Sequence, residues 1–359
     1  MYFQNSFQNK TAVYCFGLFV FLKGFCLELI NLLTKKYIFN MPAAAIYSIL
    51  LKKENAHDDP IYCCEWTRTC TTSDPKGPSK EFVLTGGLDN LVKVWMVENN
   101  RLELVQALTG HEMAVMSVAV SPDGHSIASS SLDSMLIIWD LLSGQKVHEV
   151  ETGATDVWKL VFSPDGSQVA TGSHTGKVII YGIKDGTVDR ILDTRGKFVL
   201  SVAWSPNGKY MSCGSVDGTV CVFDVSQGKL VHTVEAHRQA VRSVVFAPNS
   251  LVLASASDDG TVKLHTVASA GHIATLETKS IAVCVAFSPD GSRVAAAAGD
   301  GTVRVAQADD LKVLHTFHEH TDTVWNIRFN GKGDKLLSIA KDKCINIYEC
   351  PVPQKQAKK

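Results

Sequence analysis

Residues 110–140 read GHEMAVMSVAVSPDGHSIASSSLDSMLIIWD. A Gly-His pair, Gly110-His111, opens the stretch and a Trp-Asp pair, Trp139-Asp140, closes it. Between them, Ser121-Pro122-Asp123-Gly124 encodes a tight turn: proline presets φ for the first turn position, and Asp and Gly accept the conformation that follows. Moving outward, the position of Trp139 recurs as Trp95, Trp139, Tyr181, Phe223, His265, Ala306 and Tyr348, at steps of 44, 42, 42, 42, 41 and 42 residues. Six residues before each lies a turn position: Asp89, Asp133, Thr175, Asp217, Asp259, Asp300 and Asp342. The Ser-Pro-Asp-Gly turn returns in phase at Ser163–Gly166, Ser205–Gly208 and Ser288–Gly291, and in altered form at Ala247–Ser250. Each unit therefore predicts four short strands joined by tight turns. One such unit cannot bury both faces of its sheet, so neighbours must stack.

This spacing, with its Gly-His and Trp-Asp signatures, resembles that of WD40 repeats, one propeller blade per repeat. After Tyr348 only Glu349-Cys350-Pro351 and a Lys-rich tail remain, so the seventh unit lacks an outer strand. The β-prone stretch Ile46–Lys53 precedes the first repeat and has no unit of its own. Pairing the two removes an exposed sheet edge. The expected fold is all-β, a seven-bladed WD40 β-propeller closed by an N-terminal strand in the last blade, over residues 43–351. Residues 352–359 are expected to be a disordered tail, and residues 67–80, rich in Thr, Ser, Lys and Pro, an inserted loop. Residues 1–42 are expected to be an extension outside the fold, with Met41 a sufficient start. The apolar run Ala12–Leu22 is shorter than the roughly twenty residues of a membrane span and lacks a clear cleavage site, so no membrane association is expected.

Composition excludes several function classes. The 35 Lys and Arg against 36 Asp and Glu leave no strongly basic field, so no direct nucleic-acid binding is expected. The ten cysteines form no C-x-x-C pair and no zinc-ligand spacing, which fits a reducing compartment and no metal or other cofactor. Neither a phosphate-binding G-x-x-x-x-G-K-[ST] nor an H-E-x-x-H occurs.

Four repeats carry a His, Ser/Thr, Asp and aromatic set. They are His57, Thr85, Asp89 and Trp95; His111, Ser129, Asp133 and Trp139; His237, Ser255, Asp259 and His265; and His320, Ser338, Asp342 and Tyr348. A Ser-His-Asp hydrolase uses these residue types. A hydrolytic site occurs once, however, whereas this set recurs in equivalent positions. It is read as a buried network that ties the strands of a blade together. No enzymatic activity is expected.

Five residues after each Gly-His histidine, or its equivalent, stand Tyr62, Met116, Trp158, Leu200, Arg242, Val283 and Trp325. In a WD blade this position lies near the start of the innermost strand, by the mouth of the central channel. Phe198 and Asp156 lie two residues before Leu200 and Trp158. Inter-blade packing accounts equally well for Leu200 and Val283. The aromatics Tyr62, Trp158 and Trp325 in one slot suit a protein-binding hot spot, and Asp156 and Asp258 nearby suit an arginine from a partner.

Finer peculiarities carry a narrower resemblance. Blade four has Asp193-Thr194-Arg195-Gly196-Lys197-Phe198 in place of Gly-His. Blade three has Thr171-Gly172-Ser173-His174 and then Tyr181-Gly182. The repeats open on Ala56-His57-Asp58-Asp59 and close on Tyr348-Glu349-Cys350-Pro351. From about Ile46 to Pro351 the chain resembles the WD-repeat subunit family shared by the superkiller (Ski) RNA-decay complex and the Paf1 transcription-elongation complex. It departs from that pattern at Ala306-Gln307 and His265. The resemblance implies a non-catalytic scaffold of the nucleus and cytoplasm, taking part in exosome-mediated mRNA decay, RNA polymerase II elongation and histone modification. It also implies that one propeller face binds a Gln-Arg-x-x-aromatic peptide of partner subunits, here placed on Tyr62, Trp158, Phe198, Trp325 and Asp156. An adaptor of another complex, such as a ubiquitin-ligase substrate receptor or a signalling scaffold, is the competing reading.

Overall fold

The computed structural model describes residues 46–70, 79–153 and 158–352. The described strands all belong to one unit, Tyr47–Lys359. The expected extension over residues 1–42, with its apolar run, lies outside the described residues, as does the tail beyond Val352.

Tyr47–Lys359 builds seven four-stranded antiparallel sheets, and no helix occurs among the described residues. The first sheet runs Ile61–Cys70, Ser79–Gly87, Val92–Glu98 and Arg101–Leu108, and the next five repeat that sequential order. The innermost strand of each sheet contacts its counterpart in the next, and Val324–Phe329 of the last contacts Ile61–Cys70 of the first. The sheets thus close into a seven-bladed propeller.

Burial explains the strand chemistry. Second strands such as Ser126–Ser131 and Arg293–Ala298 have neighbouring sheets on both faces and are almost wholly buried, so apart from Arg293 they consist of small and apolar residues. Outer strands such as Lys229–Glu235 alternate exposed and half-buried residues. Each seam is an apolar cluster shared by adjacent sheets. Between the first and second sheets, Leu84, Val92 and Val94 meet Val118, Ile137 and Trp139.

The seventh sheet is completed from the other end of the chain. Ser48–Lys53 pairs antiparallel with Ile345–Glu349, Ser48 opposite Glu349 and Lys53 opposite Ile345. A second fastening comes from Arg293 in the sixth sheet, which is fully buried. Its guanidinium donates to the carbonyls of Cys350 (3.1 Å), Pro351 (2.9 Å) and Gly333 (2.8 Å), and it lies 5.5 Å from the Phe329 ring. The chain's exit from the last strand is therefore held from the neighbouring blade.

Two expectations need correction or refinement. The insertion is not a loop over residues 67–80. Thr67–Cys70 and Ser79–Lys80 continue the first two strands as a long hairpin, Cys70 opposite Ser79, and only residues 71–78 lie outside the described residues. β-branched Thr67 and Thr69 favour an extended backbone. In the weak sixth blade, Ala306 and the run Ala295–Ala298 leave little side-chain volume. The seam to the seventh blade is filled instead by aromatics: Phe317 stacks on Tyr348 with centroids 4.0 Å apart, and Tyr47 stacks on His315 at 5.2 Å.

Ring closure through the borrowed strand sets an expected outcome. A chain truncated through Lys53 exposes the whole edge of Ile345–Glu349 and should aggregate, read as high-mass species by size-exclusion chromatography with light scattering. A monodisperse, cooperatively unfolding truncation would overturn this account.

Candidate functional site

In six of the seven inner strands the pairing with the second strand slips by one residue at the same place. The slips fall between Ile61 and Cys63, Val115 and Ser117, Val199 and Ser201, Val241 and Ser243, Ala282 and Cys284, and Val324 and Asn326. The residues left out of the ladder are Tyr62, Met116, Leu200, Arg242, Val283 and Trp325. A bulge of this kind re-aims the surplus side chain. In the third blade the ladder begins only at Leu160, and Trp158 stands just before it. All seven positions line one cavity of about 330 Å³.

The aromatics sit in two pairs. Tyr62 and Trp325 meet edge to face at 5.5 Å between centroids, and Trp158 lies 6.4 Å from Phe198, which in turn meets His174 at 6.3 Å. Phe198 supports Trp158 but does not itself line the cavity. Asp156 lies outside the described residues. The second carboxylate suggested for a partner's arginine is already engaged: Arg242 holds Asp258 in a two-pronged ion pair, Nε at 2.9 Å and Nη2 at 2.8 Å. Leu88 and Leu132 also line the cavity and were missed by sequence reasoning. Each stands one residue before a turn aspartate, Asp89 or Asp133, so the same period could have found them.

Beneath the mouth the next layer is small and polar, and it stitches blade to blade. Ser117 Oγ accepts from the Leu160 amide at 3.0 Å, Ser243 Oγ from the Val285 amide at 3.4 Å, and the Cys284 thiol contacts Asn326 Oδ1 at 3.4 Å. Deeper still, Arg328 donates to Glu65 at 3.0 Å and to Asn326 Oδ1 at 3.0 Å. Burial works against the Arg328 charge, but Glu65 beside it carries its pKa above the ordinary value. Lys159 also lines the cavity. Burial, with repulsion from Arg328, lowers its pKa.

The four His-containing sets are assembled as hydrogen-bonded chains. In the second blade Trp139 Nε1 donates to Ser129 Oγ at 2.8 Å, and Ser129 lies 2.7 Å from His111 Nε2. His111 Nδ1 lies 3.0 Å from Asp133, which also accepts from the amides of Glu112 and Met135. A proton on Nδ1 satisfies every member. The set at His57 repeats this with Thr85 at 2.8 Å and Asp89 at 2.8 Å. His237 does so with Ser255 at 2.7 Å and Asp259 at 3.0 Å, and His320 with Ser338 at 2.7 Å and Asp342 at 2.9 Å. The serine hydroxyls are buried and committed within the blade, which leaves none of them poised as a nucleophile.

The third set is incomplete. His265 stands where Trp95 and Trp139 stand, but its ring does not reach Ser255, and neither of its buried nitrogens makes a well-formed hydrogen bond among the described residues. Burial, aided by nearby His237 and His272, depresses its pKa from 6.5 to about 4.

The chain matches the family model described as "WD domain, G-beta repeat" over residues 48–96, 102–140, 144–182, 186–224, 228–266, 270–306 and 311–349. It is similar to the WD repeat-containing protein SL1-17 of Schistosoma mansoni, 32% identical over 117 residues, 33% of this chain and 37% of that protein. Against the WD repeat-containing protein VIP3 of Arabidopsis thaliana it is 35% identical over 109 residues, 30% of this chain and 32% of that protein. Against the small ribosomal subunit protein RACK1y of Oryza sativa subsp. japonica it is 36% identical over 86 residues, 24% of this chain and 25% of that protein. The chain thus matches no more than 37% of the length of these curated relatives.

Two outcomes follow from the networks. Asp133→Ala strips three donors of their acceptor and should cost roughly 1–3 kcal/mol for each buried group left unsatisfied, less where water enters, read as a lower melting temperature. For His265 the sign is set by its depressed pKa: the unfolded chain takes the proton first. The stability is intact above pH 6.5 and drains as pH falls toward about 4, a loss on the order of 3 kcal/mol. His265→Trp offers an indole N–H to Ser255 and should flatten that acid loss when melting is compared at neutral and acidic pH. An unchanged pH slope in the variant would assign the acid sensitivity elsewhere.

Proposed function

The chain belongs to the WD-repeat family, and on that premise we propose that it is a non-catalytic protein-docking scaffold whose binding surface is the mouth of the propeller channel. The observation that carries the reading is the convergence of seven equivalent backbone positions on one cavity, three of them occupied by Tyr62, Trp158 and Trp325. Large aromatics are efficient anchors because they bring much contact area at little conformational cost. The polar sets that resemble a hydrolase are consumed in holding the blades, which supports the non-catalytic half of the proposal.

The finer proposal is membership of the Ski and Paf1 assemblies, in the cytoplasm and nucleus respectively. It is supported by the blade-four sequence Asp193–Phe198, the blade-three ending at His174 and the opening Ala56–Asp59. In this role the mouth takes a Gln-Arg-x-x-aromatic peptide. Its aromatic residue packs among Trp158, Tyr62 and Trp325, with Phe198 supporting Trp158 from behind, and its arginine is assigned to Asp156, because Asp258 is already held by Arg242.

Trp158→Ala and Trp325→Ala should each weaken such a peptide by about 2 kcal/mol, about thirtyfold, in titration calorimetry. Substitutions in the Ser121–Gly124 turn, at the other end of the inner strand, should leave affinity unchanged. Unchanged affinity in both tryptophan variants, with folding intact, would move the docking surface elsewhere. Co-purification from native extract with mass spectrometry tests the assembly: recovery of ubiquitin-ligase or signalling partners in place of Ski and Paf1 subunits would overturn the finer proposal.

A further inference from the structure

The chemistry of the cavity is lopsided. Among the described residues its one unpaired charge is positive. The indole nitrogens of Trp158 and Trp325 are buried and have no hydrogen-bond partner among the described residues. Lys159 lines the same cavity and makes no ion pair or hydrogen bond among the described residues, whereas its neighbour Arg328 is neutralised by Glu65. The acceptors within reach are spent: Asn326 Oδ1 takes protons from Arg328 and the Ile327 amide, and Ser243 Oγ from the Val285 amide. Among the described residues the other cation lining the mouth, Arg242, is closed off by Asp258. The remaining lining is apolar, with Met116, Leu132, Leu200 and Val283.

A cation without a counter-charge, set in a largely apolar wall beside the Tyr62 hydroxyl, is complementary to one kind of group, a compact anion. We infer that the cavity binds the carboxylate of an aspartate or glutamate side chain from the docked partner segment, with Lys159 as its counter-ion. This rests on the docking reading above and adds to it a second specificity element, opposite in charge to the arginine of the proposed peptide. Lys159 stands six residues after the Gly-His equivalent, where the other blades carry Cys63, Ser117, Ser201, Ser243, Cys284 and Asn326. A lysine in a layer of small and uncharged residues costs desolvation and is compensated when an anion arrives.

The test uses the full-length protein and a random-peptide library displayed on phage. Peptides captured by the wild type are sorted by whether Trp158→Ala and Trp325→Ala abolish capture. The dependent set should be enriched in Asp or Glu at a fixed offset from an aromatic residue, and should bind Lys159→Met about tenfold more weakly. Lys159→Glu should reverse the preference toward Lys or Arg. Methionine keeps the volume of lysine and removes a costly buried charge. Lys159→Gln serves as a second uncharged variant, and melting curves check the fold of each. Tryptophan-dependent peptides with no acidic preference, or with equal affinity for Lys159→Met, would overturn the carboxylate site and leave the docking surface standing. Peptides indifferent to both tryptophans would overturn the docking surface and the carboxylate site with it. Acidic enrichment confined to free C-terminal carboxylates, lost on amidation, would also overturn the side-chain assignment.

Discussion

A ring of sheets has no natural end, so everything in this molecule depends on how its two chain ends meet. Ser48–Lys53 supplies the outer strand that the seventh repeat lacks, and the ladder to Ile345–Glu349 converts an open stack into a closed one. Backbone hydrogen bonds alone would leave that joint free to fray. Arg293 prevents this by holding three carbonyls at the exit of the last blade, while Tyr47, His315, Phe317 and Tyr348 fill the seam beside it. Sequestering a guanidinium this completely is costly unless its protons are used. Here the alanine-rich sixth blade provides the room and the terminal carbonyls provide the acceptors.

The second constraint is inside each blade. A hydrogen-bonded set of aromatic, Ser or Thr, His and Asp spans from the third strand to the loop before the first, so one network fixes four elements at once. Only four repeats possess it, and one of those has lost its aromatic donor at His265. The others use local substitutes. In the fourth blade Lys197 reaches Asp217 and Thr219 at 2.6 and 2.7 Å, and in the sixth Arg304 reaches Thr302 at 2.7 Å. A repeat protein tolerates this unevenness because each blade also leans on two neighbours.

Much of this was legible in the sequence because the period is carried by residues whose reasons are local. Pro-Asp-Gly turns, the turn aspartates and the Trp positions each have a chemical cause and recur in phase, so blade number, strand order and ring closure could be read from them. The ring at the mouth was legible for the same reason. The bulge was not, because Tyr62, Met116, Leu200, Arg242, Val283 and Trp325 share no property that marks an extra residue. Arg293 in a strand reads as a surface charge, and only the packed seam shows otherwise. The pairing of Arg242 with Asp258 joins residues sixteen apart, and Asp258 was misjudged as free for a partner's arginine because the period placed Arg242 at the mouth without showing which carboxylate it meets. The long hairpin flanking residues 71–78 was likewise hidden behind a polar composition that suggested a loop.

The bulge at the head of each inner strand separates two duties that a β-sheet usually combines. An ordinary strand residue answers to its ladder partner and to the seam behind it, so its identity is bound by both. The surplus residue is released from the ladder in six blades, though Trp325 still packs on the seam between the last and first blades and Val283 is buried. The mouth is thus a dial of interchangeable characters mounted on a fixed casing. A side chain exchanged there leaves the hydrogen-bond ladder as it was, so the lining of the mouth can vary while the backbone of the ring stays the same.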